Sequence, residues 1–167
     1  MAGIAAGMRR LVGVVEQWDW LDGFSEKASG LIGRATESTA VKNCLSGTWL
    51  GHSLHPILTD VPIGSWAAAS FLDLTAGEKS ADAAQRLVGL GVLAVVPTAA
   101  TGASDWADTY GEDQRVGVAH AAGNVAATLI QVVSLIARSA GHRRTGAVLS
   151  LAALGVAGGS AYLGGHL

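Results

Sequence analysis

The chain has 167 residues, one domain's worth, of which 50% are apolar and only 14% charged, with a net charge of -2. An ordinary soluble domain carries ~25% charged residues, so this balance is that of a membrane protein, and it leaves no basic stripe for nucleic acid. The single cysteine, Cys44, excludes an intrachain disulfide, an all-cysteine zinc site and an iron–sulfur cluster held by this chain alone.

Residues 1–50 read as one N-terminal segment. Its opening, MAGIAAGMRRLVGVVEQW, places the arginines after apolar residues, and the apolar run at 11–15 is too short for a signal-peptide core, so no cleaved targeting segment is expected. Farther on, Leu21, Phe24, Ala28, Leu31 and Ile32 recur at helical spacing with Glu26, Lys27 and Arg34 largely off that face. That pattern predicts an amphipathic helix or two, lying on a membrane surface or packed over the rest of the chain.

Residues 51–167 form a second unit with four apolar stretches, at 57–76, 84–104, 116–137 and 146–163. Each is near the ~20 residues that cross a bilayer as helix, and none has the charged face a soluble bundle helix would need. The connections are short, so neighbours run antiparallel. The expected fold is all-α, an integral membrane four-helix up-and-down bundle with the amphipathic segment attached. Small residues suit close packing within the bundle or in a homo-oligomer: Gly155 and Gly159, Ala119 and Gly123, and Gly64. No internal repeat is evident. Lys79, Arg86, Arg138, Arg143 and Arg144 flank the connections at 77–83 and 138–145, against Lys42 and Arg115 at the other side, which predicts cytoplasmic placement of those two loops.

Counting spans places His52, His55, Asp60, Asp105, Asp108, His120, Tyr162 and His166 at one membrane face and His142 at the other. With a rise of ~1.5 Å per residue, Asp60 and His120 reach similar depth. His120, Asn124, Thr128 and Gln131 form a polar stripe along the third stretch, and Thr98, Thr101 and Asp105 a second. Toward the opposite side the polar residues thin out, with only Asp73 left. Pro62 and Pro97 free the carbonyls of Leu58 and Leu93, which then need partners, while Pro56 suits a first helical turn. Trp49, Trp106, Tyr110 and Tyr162 suit an interfacial belt. Trp66, about mid-span, either packs between helices or flanks a bound planar group.

Neutral imidazole is the commonest metal ligand. His120 with His55 are the leading candidates to hold haem b or a transition metal, with His52 and His166 as substitutes, Asp60 and Asp105 as further metal ligands, and Asn124 as an orienting partner. Three other readings stand beside this one: a structural hydrogen bond from His120 to Asp60, a small proton or cation transporter built on Asp60, Asp105 and His120, and a membrane anchor without ligand. No nucleophile elbow, HExxH or phosphate loop supports a hydrolase or nucleotide enzyme.

The segments GTWLGHSLHPILTDVPIGSW, ATGASDWADTYGEDQRVGVAHAAGNVAA and GGSAYLGGHL together resemble a family of bacterial four-helix membrane domains of unknown function, which occur in actinobacteria alone or fused ahead of a Rieske [2Fe-2S] domain. The resemblance covers about residues 45–167. It implies four membrane helices in a bacterial cell membrane, and the loop charges above then put the histidine face outward. It also implies a link to electron transfer, with a Rieske-type or other redox protein as partner. The family's HPxHP element falls on His52, Ser53, Leu54, His55 and Pro56, with Ser53 replacing its first proline, its PIG on Pro62, Ile63 and Gly64, and its third-helix pair on His120 and Asn124. Relatives carry histidine where this chain has Asp60, and fused relatives continue past Leu167, so any iron–sulfur cluster is expected in a partner.

Overall fold

The computed structural model describes residues 2–167, without the side chains of residues 2–5 and of Met8, so the start of the expected N-terminal segment at Met1 lies outside it. Seven α-helices are present among the described residues: α1 (Ala2–Glu16), α2 (Asp22–Ala35), α3 (Thr39–Ser46), α4 (Leu54–Thr75), α5 (Ala81–Trp106), α6 (Gly111–Ser139) and α7 (Arg143–Gly164). The four expected spans map onto α4 to α7. Among the described residues α5 with its preceding turn, α6 and α7 are long and apolar enough to cross a membrane, which supports three of the four expected spans. Helix α4 matches α7 in length but carries His55, Thr59, Asp60, Ser65, Ser70 and Asp73, and these lower its mean hydropathy.

Helix α4 packs along α5 and α6 along α7, with α5 beside α6 and α7 beside α4. The interior is built from small groups: Ala69, Ala84, Val88, Ala127 and Ala153 are fully buried, and so are the polar Ser104, Gln131, Ser134 and Ser150. Large apolar side chains such as Phe71, Leu74, Leu93, Val96, Leu129, Ile136 and Val148 point outward instead. That inversion is what lipid as solvent permits, because burying leucine gains nothing there and close backbone approach gains dispersion.

Helix ends follow local chemistry. Gly141, at φ 83°, closes α6. Its N–H donates to Arg138 O at 3.0 Å and that of His142 to Ala137 O at 2.8 Å, the paired bonds of a glycine C-cap. Pro56 does sit in the first turn of α4 and Pro62 in its interior. The Leu58 carbonyl that Pro62 frees lies 3.2 Å from the Thr98 hydroxyl of α5, a donor it shares with Ala94 O at 2.8 Å. Thr98→Val is isosteric and removes that donor, so it is expected to lower stability by about 1 kcal/mol in reversible detergent unfolding.

The N-terminal segment holds three helices rather than one or two, and it packs over one end of the bundle. Val12 and Val15 of α1 bury against Val116 of α6. Arg115 clamps the segment: it grips Asp22 through two nitrogens, at 2.7 and 2.9 Å, and also reaches Asp19 and the Glu16 carbonyl. The hydrogen bond from Arg115 holds the Asp22 carboxyl below its ordinary pKa. Lys42 of α3 bonds Asp108 and Ser104 O, both at 2.7 Å. Helix α2 does not bury the whole face expected of it: Leu21 is buried with Ser25, whereas Phe24 and Leu31 are exposed.

The structure also shows an internal repeat that the sequence hides. His55 and His120 are the same number of residues apart as Trp66 and Gln131 and as Asp73 and Arg138. On α5 and α7, Val88 with Ser150, Thr98 with Ser160 and Gly102 with Gly164 keep one common offset as well. The histidines repeat their contacts: His55 lies on Thr98 O and Gly102 as His120 lies on Ser160 O and Gly164. Residues at matching positions also meet one another, His55 with His120 and Asp73 with Arg138, which is the signature of an approximate two-fold axis relating α4–α5 to α6–α7. Three of these six pairs are chemically alike, His55 with His120, Thr98 with Ser160 and Gly102 with Gly164, and the other three are not, so the matches in sequence are few and widely spaced.

Candidate functional site

His55 stands in the first turn of α4 and turns toward α5, where its Nδ1 lies 3.0 Å from Thr98 O. Thr101, one turn on, places its hydroxyl 3.4 Å from the same nitrogen while donating to Thr98 O at 2.8 Å. The ring lies flat over Gly102, where an added Cβ would come 2.6 Å from Cε1. His120 repeats the arrangement on α6. Its Nδ1 lies 2.7 Å from Ser160 O of α7, and its ring covers Gly164 with the same 2.6 Å approach. The Ser160 hydroxyl donates back to His120 O at 2.7 Å, so residue and ring are both held.

A carbonyl oxygen can only accept, so in each neutral ring the proton is on Nδ1 and the lone pair on Nε2. The two rings meet edge to face with centroids 6.5 Å apart. The Asn124 amide, one turn along α6, donates to His120 Nε2 at 2.9 Å. No hydrogen bond reaches His55 Nε2 among the described residues. Two neutral imidazoles this close together are a donor set of the kind a transition metal or haem iron takes. To expose its lone pair, His120 must release the Asn124 amide.

The other candidates are not drawn into this pair. His52 is exposed. His166 is half-exposed and bonds Glu16 of α1 at 3.2 Å, so it fastens the N-terminal segment. Asp60 is exposed and shares no hydrogen bond with either histidine. Asp105, partly buried, accepts from Ser53 at 3.5 Å. No group of three or more His, Cys, Asp or Glu gathers as a metal site among the described residues. Trp66 packs between helices, its indole N–H donating to Val88 O at 3.3 Å over Gly91. Trp106 is partly buried on Gly117, its N–H on Gln114 O at 2.9 Å, and Tyr110 and Trp49 are left exposed.

The opposite end holds a cluster that sequence reasoning missed. Arg138 is almost wholly buried and grips Asp73 through NH1 at 3.1 Å and NH2 at 2.5 Å. Arg143 adds a bond to Asp73 at 3.2 Å and one to Glu78 at 3.1 Å. Arg138 also donates to Ser134 and Ser150, each at 3.2 Å, and Ser150 donates to Gln131 at 2.9 Å. Ending the third span at Ala137 had put Arg138 in a loop; the continuation of α6 to Ser139 carries it inside, so the polar residues do not thin out there. Two surface depressions of about 320 and 300 Å³ open at this end, lined by Arg143, Arg144 and Glu78 among others.

Residues 51–167 match the family described as predicted membrane protein DUF2231. No curated protein and no solved structure gives a significant match. The match covers most of the chain, both helical hairpins and both histidines, and the protein therefore belongs to the DUF2231 family of predicted membrane proteins.

Proposed function

We propose that the chain is an integral membrane electron-transfer module in which His55 and His120 hold one transition metal ion, bare or as the iron of a b-type haem. The observation that carries this reading is the matched pair of imidazoles, each with Nδ1 fixed on a carbonyl and Nε2 left with the lone pair, on facing hairpins at 6.5 Å. Orienting a ligand ring by a hydrogen bond from its other nitrogen is the usual device at metal sites.

Bound there, the metal supplies a one-electron couple. The chain's own part is positional: Thr98 and Ser160 fix the tautomers, Gly102 and Gly164 let the rings lie against the helices, and Asn124 occupies the His120 lone pair until a metal replaces it. In this reading α4 is the fourth crossing helix, since packing between α5 and α7 shelters Ser65, Ser70 and Asp73, with Asp60 left exposed in its second turn, and the Arg143 end faces the cytoplasm. The redox partner, a Rieske-type protein by the family resemblance, meets the opposite end.

The test is an absorption spectrum, oxidised and dithionite-reduced, with metal analysis, on protein expressed with haem precursor and trace metals supplied. A reducible Soret band or one equivalent of metal is expected, lost in His55→Ala and His120→Ala and kept in His142→Ala. A colourless, metal-free wild type, or a signal retained in both alanine variants, overturns the assignment.

A further inference from the structure

Gln131 is fully buried at mid-bundle, and only one end of its carboxamide is satisfied: Oε1 accepts from Ser150 at 2.9 Å, while Nε2 has no partner. An unmet buried amide costs about 1–3 kcal/mol, and no bulk water surrounds this one to relieve it. Interior groups of this kind are where ordered water binds, provided there is room.

The internal repeat supplies the argument for room. At the matching level of the other hairpin, the space is filled by Trp66, Val88 and Gly91, with the indole N–H on Val88 O. Here the corresponding residues are Gln131, Ser150 and Ala153, a smaller set with more polar groups. Below Gln131 the polar contacts are continuous. Ser150 and Ser134 lie 3.0 Å apart, Arg138 donates to both, Asp73 pairs with Arg138, and Asp73 lines the depression of about 300 Å³ that opens at the loop end. Above it, Thr128 and Asn124 extend the stripe, the Thr128 hydroxyl donating to Asn124 O at 2.8 Å.

We propose that a water molecule is bound at the Gln131 carboxamide, in a polar column that admits water from the Arg143 end of the bundle. The column gives the interior an exchange route for water and protons to that face. This holds whatever the histidines bind.

Water-edited solid-state NMR of the full chain in lipid bilayers tests it directly. Magnetisation from water is expected to reach the Gln131 side-chain nitrogen about as fast as that of exposed Gln17. Transfer as slow as to the buried Val88 methyls overturns the site. The route is tested by deuterium exchange of the Gln131 amide in Ser150→Val, which places at this level the residue that the other hairpin carries there. A slowing of at least about tenfold is expected; an unchanged rate overturns entry from the Arg143 end.

Discussion

Asp73→Ala is expected to cost the bundle about 3–5 kcal/mol, the penalty for removing one partner of a buried ion pair. The Arg138 and Asp73 side chains are 2% and 4% exposed, so the guanidinium left behind has lost the counter-charge it is bonded to. Arg143 loses a partner as well and keeps only Glu78, whose side chain is 81% exposed, and the Gly77 carbonyl. Reversible unfolding in mixed micelles measures the effect. The double variant Asp73→Leu with Arg138→Met should recover most of the loss, because it removes both charges and leaves apolar groups of similar bulk. If Asp73→Ala cost under about 1 kcal/mol, the ion pair with Arg138 would not be what fastens α4 to α6 at this end.

Gly102→Ala and Gly164→Ala form the second expectation. Each places a methyl 2.6 Å from the Cε1 of a ring that a hydrogen bond pins, so neither ring can slide aside without losing its carbonyl. Overpacking of this kind costs typically 1–3 kcal/mol. Gly155→Ala and Gly158→Ala are the controls, since nothing lies within 4 Å of an added Cβ at either position. They should change stability by less than about 1 kcal/mol in the same assay. Equal effects at all four positions would mean that helix propensity, not the seating of the rings, governs these glycines.

Much of this architecture is written in composition and spacing. Long apolar stretches located α5, α6 and α7 to within a few residues, and the low charge content excluded a soluble bundle. Meeting of His55 and His120 followed from counting spans, since antiparallel neighbours bring those positions to one end. The sequence was mute where a residue's meaning depends on its partner across the bundle. Arg138 reads as a loop charge until Asp73 is seen beside it, and Asp60 reads as an inward acid until α4 is seen to turn it outward. The choice of buried face in α2 was equally hidden, because Ser25 gives no hydrophobic signal and yet permits the close approach.

The repeat has a consequence for how the two hairpins recognise each other. A residue that lies on a true two-fold axis faces its own copy, so a dimer of two α4–α5 hairpins would oppose Asp73 to Asp73, and one of two α6–α7 hairpins Arg138 to Arg138. Either homotypic pairing buries like charges. Joining both hairpins in one polypeptide lets one axial position carry unlike charges while another keeps identical imidazoles. The same axis thus enforces heterotypic assembly at one pole and preserves equivalence at the other, where both halves present the same imidazole.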